Sequence, residues 1–173
     1  MNLFSFADDL TTGIDSIDEQ HANVFELAER VFEDRIASND ENRLYDALTS
    51  LFDYVRYHFA AEERLMRDIG DPGFEAHRGW HDLFQLELGE IVDAARHGGI
   101  QPELRGRLRQ IVRTQFQDHI RAQDRQLAAL ARATLPVEAL KLADSVTLKR
   151  AGDLMVDVPE QYATTGTVIA VGE

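Results

Sequence analysis

The 173-residue chain carries 31 acidic against 18 basic residues. The resulting formal charge of -13 repels phosphate backbones and anionic lipid, which argues against nucleic acid and membrane surfaces as partners. Cysteine is absent, so disulfides, thiolate metal sites and thiol nucleophiles are excluded, and any metal must be held by nitrogen and oxygen.

Four helical patterns follow one another with no alternating strand signal between them, which predicts an all-α layout. The first follows Asp15 and Ser16 and turns Ile17, His21, Val24, Ala28 and Val31 to one side, ending near Ser38-Asn39-Asp40. The second carries Leu44, Leu48, Leu51, Val55, His58, Glu62 and Leu65 and stops at Gly70-Asp71-Pro72-Gly73. The third carries His77, His81, Phe84, Leu88, Ile91 and Ala95 and closes at Gly98-Gly99, where a left-handed cap fits. The fourth opens at Pro102 and runs through Leu104, Leu108, Val112, Phe116, His119, Leu127 and Leu130 towards Pro136. Short links between long helices favour antiparallel neighbours, so the expected fold is an up-down four-helix bundle with an N-terminal arm. Residues 1–133 are assigned to the bundle. Residues 134–173, with a β-prone run from Tyr162 to Val171, are assigned to a C-terminal extension: a tail, a linker or the start of another element. No apolar run is long enough to span a bilayer, and Met1 to Asp9 lack a basic stretch followed by an apolar one, so a soluble, cytoplasmic chain is expected.

The core stripes contain residues that a bundle interior should not. His21, His58, Glu62, His77, His81 and His119 interrupt stripes of Leu, Val, Ile and Phe. One buried imidazole with a hydrogen-bond partner is ordinary, but five of the six histidines on inward faces beside carboxylates are not. His58 with Glu62 and His77 with His81 are four apart and stack on one helix face. His119 and Asp124 are five apart, roughly 140° around an ideal helix, and are expected to flank the inward line rather than to stack. Five imidazoles and two carboxylates exceed what one first-row ion takes, so two metals sharing the carboxylates are more economical. With a solvent bridge, one coordination position stays open for a small neutral ligand.

The segments Gly13-Ile14-Asp15-Ser16-Ile17-Asp18-Glu19-Gln20-His21, Tyr54 to Met66, His77-Arg78-Gly79-Trp80-His81 and His119-Ile120-Arg121-Ala122-Gln123-Asp124 resemble the metal-binding signatures of bacterial hemerythrins. The resemblance covers roughly residues 3 to 131. It implies two iron ions with a bridging oxo or hydroxo group and dioxygen as the ligand. His77, His81 and His119 would complete a six-coordinate iron, His21 and His58 would hold a five-coordinate one, and Glu62 and Asp124 would bridge them. By the same resemblance Val24, Phe59, Phe84 and Ile120 would line the dioxygen pocket. Three positions depart from the family pattern: Gln115 stands where a tryptophan is usual, Leu127 where a tyrosine is usual and Phe6 where a tryptophan is common. Gln115, one turn before His119, is expected on the pocket side, where a buried amide would bond to an oxygen species or admit water. If it points along the surface instead, Phe116 closes the pocket.

Other residues have plainer readings. His97 in a last helical turn fits capping, Trp80 fits packing between helices, and Asp15, Asp18 and Glu19 fit the positive end of a helix. Glu63 and Asp118 are expected to face outward or to orient imidazole N–H groups. Gly79 inside a helix should cost about 1 kcal/mol relative to alanine, with no evident reason. The expected function is reversible dioxygen binding for oxygen or redox sensing, storage or delivery, not enzymatic beyond weak oxidase or peroxidase activity. A signalling partner or output element would be reached through the tail. The competing classes are a di-iron oxidase or peroxidase and an iron-storage or structural metal bundle. The imidazole-rich ligand set argues against the former, because enzymatic di-iron bundles are carboxylate-rich.

Overall fold

The computed structural model describes residues 4, 6–37, 41–99 and 101–140. The break expected at Ser38-Asn39-Asp40 and the tail from 141 onward, including its β-prone run, lie outside the described residues. Four long helices make up the described chain: α1 (Asp15–Ala37), α2 (Glu41–Ile69), α3 (Phe74–Gly98) and α4, residues 102–134. No strand occurs among the described residues.

Local chemistry sets the helix ends. Before α1, the Asp18 carboxylate accepts from Thr12 N (2.7 Å), Thr12 Oγ1 (2.8 Å) and Gly13 N (3.1 Å), tying down the turn that Gly13 makes at φ 81°. Asp18 therefore binds a specific turn rather than merely complementing a dipole. Helix α2 stops at Gly70 (φ 65°), where Asp71 N reaches back to Met66 O at 2.9 Å and satisfies a last-turn carbonyl. Helix α3 stops at Gly99 (φ 68°), whose N–H bonds Ala95 O at 2.9 Å, and α4 opens on Pro102 at its first turn.

Side-chain pairs fix the topology. Gln20 meets His58 and Asn23 meets Tyr54; Phe59 meets Phe84 while Glu63 meets His81. Arg107 meets Glu90, and His119 meets His77. Phe25 meets Phe116, and His21 meets Asp124. In each set one number rises as the other falls, so α1–α2, α2–α3, α3–α4 and α4–α1 are all antiparallel. This is the up-down bundle that the short links predict.

The interior is filled by Val24, Phe25, Leu48, Leu51, Val55, Phe59, Phe84, Leu88, Ile91, Val112 and Phe116 towards one end. Ile14, Ile17, Leu65, Met66, Leu127 and Ala131 fill the other. Leu135 and Leu140 pack against this second cluster, so the chain stays on the bundle past residue 133. The N-terminal arm also packs down. Phe4 N donates to Glu29 Oε2 (2.8 Å), Arg121 pairs with Asp9 (2.8 Å), Arg125 donates to Asp9 O (2.6 Å), and Arg132 donates to Thr12 O.

Helix α4 is not a uniform α-helix. Ile111–Phe116 and Ile120–Asp124 are π-helical, flanking the three α-helical residues Gln117–His119. The buried positions Leu108, Val112, Phe116, Ile120, Asp124 and Ala128 explain why, because they step by four throughout. On an ideal α-helix each step of four drifts about 40°, so five steps accumulate about 200° and would turn Ala128 away from the core. Wider π turns absorb that drift and keep all six on the inward face.

Candidate metal centre

Seven polar side chains converge where the two core clusters meet. His21 comes from α1, His58 and Glu62 from α2, His77 and His81 from α3, and His119 and Asp124 from α4. His77 is 4% exposed and His119 2%; the other five are fully buried. Glu62 Oε2 lies 3.7 Å from His58 Nε2, 3.7 Å from His77 Nε2 and 3.4 Å from His81 Nε2, and its Oε1 lies 3.7 Å from His21 Nε2. Asp124 Oδ1 lies 2.9 Å from His119 Nε2 and 3.2 Å from His77 Nε2, with Oδ2 3.2 Å from His21 Nε2. Neighbouring ligands around one ion bound at about 2.1 Å sit about 3 Å apart, which is the scale of these spacings.

The donors fall into two sets, Glu62, His77, His81, His119 and Asp124 in one and His21, His58 and Glu62 in the other. Glu62 belongs to both. Asp124 joins only the first set, yet its contact to His21 makes it touch both as well.

One expectation about this geometry needs correcting. His119 and Asp124 do not flank the inward line. The π turn at Ile120–Asp124 makes five residues close to one full turn, so the two side chains stack at 2.9 Å.

The cluster is chemically incomplete without a cation. Both oxygens of Glu62 and of Asp124, and Nε2 of His21, His58 and His77, are buried and make no hydrogen bond. Buried carboxylates must be paired or must coordinate metal, so these residues fit a metal centre. Tautomers point the same way. His58 Nδ1 donates to Gln20 Oε1 (3.0 Å) and His81 Nδ1 donates to Glu63 Oε1 (3.1 Å), which leaves each Nε2 lone pair facing inward.

The metal-free electrostatics reflect the crowding. Burial alone would lower His77 and His21, but Asp124 and Glu62 outweigh it and hold them up at about 10 and about 9. Burial prevails at His58, which falls to about 3, and at His119. Burial pushes the Glu62 and Asp124 carboxyls up, yet the surrounding imidazoles win and hold both well below the usual carboxylate range.

An apolar wall surrounds the cluster. Phe116 is fully buried with its ring edge-on to His21 (5.7 Å between centroids) and His58 (6.0 Å). Phe59 stacks on His81 (3.8 Å, 5° between planes) and meets Phe84 at 5.6 Å. Val24 and Ile120 are buried in the same core, and Phe6 of the arm lies 6.2 Å from His21.

Gln115 does not join them. Its Nε2 donates to Glu87 Oε2 at 3.1 Å, half-buried between α3 and α4. The amide expected in the pocket is turned aside because the π turn at Ile111–Phe116 gives the inward position to Phe116. His97 bonds Asp93 O of its own helix (2.9 Å), and Asp118 pairs with Arg121 on the surface. Neither orients an inward imidazole. Gly79 has ordinary helical backbone, and a Cβ there would meet nothing within 4 Å. Trp80 packs between helices as expected, and its indole stacks on His119 at 3.6 Å and 9°. A helical wheel places Trp80 between helices but not on which ring it rests.

Comparison with known proteins agrees with this geometry. A family model described as the hemerythrin HHE cation binding domain matches residues 12–131. The chain is 30% identical over 137 residues to a bacteriohemerythrin of Stenotrophomonas maltophilia, covering 78% of this chain and 86% of that protein. It is 35% identical over 102 residues to one of Pseudomonas paraeruginosa, covering 58% and 66%, and 28% identical over 131 residues to one of Clostridium acetobutylicum, covering 72% and 98%. No solved structure matches the chain significantly.

Proposed function

The chain belongs to the hemerythrin HHE cation-binding family, and from that premise we propose that it holds two iron ions and binds dioxygen reversibly, for oxygen or redox sensing, storage or delivery. His77, His81 and His119 would hold one ion, His21 and His58 would hold the other, and Glu62 and Asp124 would serve both. Two ferrous ions held there would supply the electrons for reversible binding of dioxygen. The observation that carries the reading is the two buried donor sets sharing Glu62, in which both carboxylates and Nε2 of His21, His58 and His77 lack protein hydrogen-bond partners.

The chain's own residues do the rest. Gln20 and Glu63 hold the Nδ1–H groups of His58 and His81, so those rings keep their lone pairs on the centre. Phe59, Phe84, Phe116, Val24 and Ile120 exclude water and offer no proton donor to a bound ligand. Fewer carboxylates than in oxidative di-iron bundles stabilise high-valent iron less, which favours binding over oxidation. The N-terminal arm packs Phe6 against His21 and Phe25 of α1.

No helix among the described residues is long and apolar enough to cross a membrane. Such a bundle suits a domain whose state is read by a partner or by the residues that follow Leu140.

The deciding experiment is elemental analysis of anaerobically purified protein with absorption spectra before and after air. Two irons per chain and an absorption change that reverses on removing oxygen are expected. One metal per chain at saturation, or no response to air, overturns the reading.

A further inference from the structure

Each inward imidazole needs something to fix its ring plane, because a ligand set is useful only if its lone pairs converge. His58 has Gln20 at Nδ1, and His81 has Glu63 at Nδ1 together with Phe59 against its face. His119 is different. Its Nδ1, like that of His21, is buried and has no hydrogen-bond partner, and it lies between two π turns where the main chain is least regular.

What it has is Trp80. The indole lies parallel to the His119 ring at 3.6 Å and 9°, and arrives from a different helix. Trp80 is itself gripped, by Phe84 at 5.1 Å and 27° and by the edge of Phe59 at 6.0 Å. The segment Trp80-His81 thus supplies one inward imidazole and the backing for another. Phe59 on His81 and Trp80 on His119 are the same device used twice, but only His81 has a hydrogen bond at Nδ1 as well.

We propose that Trp80 is the positioning residue of His119: its indole face, in place of a hydrogen bond at Nδ1, sets the plane in which His119 presents Nε2 to the metal. This rests on the metal-centre reading above. A flat side chain at 80 should preserve the function and a branched aliphatic one should not, even though both fill the space.

The test uses the full chain and the variants Trp80→Phe and Trp80→Leu, with Leu51→Ala as a core truncation elsewhere on α2. Cobalt(II) replaces iron, and retention of each cobalt is followed by competition with a chelator, alongside the visible spectrum that reports coordination geometry. Trp80→Leu should hold one of the two cobalts roughly 10- to 100-fold more weakly, with an altered spectrum, as for other losses of groups that orient ligands. Trp80→Phe should stay close to wild type, and Leu51→Ala should lower thermal stability without changing the spectrum. Independently, in the metal-free and zinc-loaded chains, the His119 ring protons should carry an upfield ring-current shift that disappears in Trp80→Leu. Equal cobalt retention in wild type and Trp80→Leu overturns the proposal, as does an equal loss in Trp80→Phe and Trp80→Leu. A wild type that binds no cobalt sinks the metal-centre reading instead. The ring-current shift would then still judge the stacking.

Discussion

Gly79→Ala offers a quantitative check on the packing of α3. The position is exposed in the second turn of α3, with no positive φ and no atom beyond its own helix backbone within 4 Å of an added Cβ. Nothing in the described structure requires glycine there, so the full propensity gain of about 0.8–1.0 kcal/mol should appear. For roughly 130 folded residues, an unfolding entropy near 2.1 cal/mol/K per residue gives about 0.27 kcal/mol/K, so the melting midpoint should rise by about 3 °C. Calorimetry at matched metal content measures this, because bound metal shifts the midpoint by itself. Spectrum and metal stoichiometry should not change. The glycine borders an open groove also lined by Met66, Ala76, His77, Trp80, Leu83 and Leu130. A lower midpoint in Gly79→Ala would refute the reasoning and would mean that something occupies that groove against residue 79.

Three further outcomes are expected. Glu62→Ala should drop metal content below two ions per chain by elemental analysis, because it removes the carboxylate common to both donor sets; retention of both ions would show that Asp124 alone suffices. Gln115→Ala should cost about 0.5–1.5 kcal/mol in denaturant unfolding, for the bond to Glu87, and leave the response to air unchanged. A changed response would return Gln115 to the pocket. Phe116→Ala should cost about 3–5 kcal/mol and make the air-induced absorption change decay faster, as water reaches the His21–His58 side; unchanged decay kinetics would mean that Phe116 does not keep the pocket dry.

Most of the layout could be read from the sequence, because an amphipathic bundle repeats its signal many times. The stripes of α1, α2 and α3, the glycines at 70 and 99 and the first-turn proline at 102 each match a structural feature with a local cause. The convergence of six of the seven polar groups was also legible, since polar residues on apolar faces are conspicuous, while Asp124 was expected only to flank them. What could not be read were facts set by contacts between helices. Trp80 on His119 and Gln115 on Glu87 depend on rotations about helix axes that intrahelical spacing does not carry. Phe116 against His21 and His58 depends on them as well.

Helix α4 shows that a wrong expectation and its correction can come from the same residues. Applying 100° per residue puts His119 and Asp124 on different faces and Gln115 beside the pocket, and both conclusions fail for one reason. The signal was present: Leu108, Val112, Phe116, Ile120, Asp124 and Ala128 keep a strict step of four over twenty residues, longer than an α-helix tolerates on one face. A sequence with that period must either bury polar residues or widen its turns. Widening costs regular hydrogen-bond geometry in two short segments, and such turns recur at functional sites because they re-aim side chains without breaking the helix. Here they bring Asp124 under His119 and turn Phe116 inward. The irregular backbone of α4 therefore belongs to the construction of the site, and the two together follow from the spacing of six inward residues.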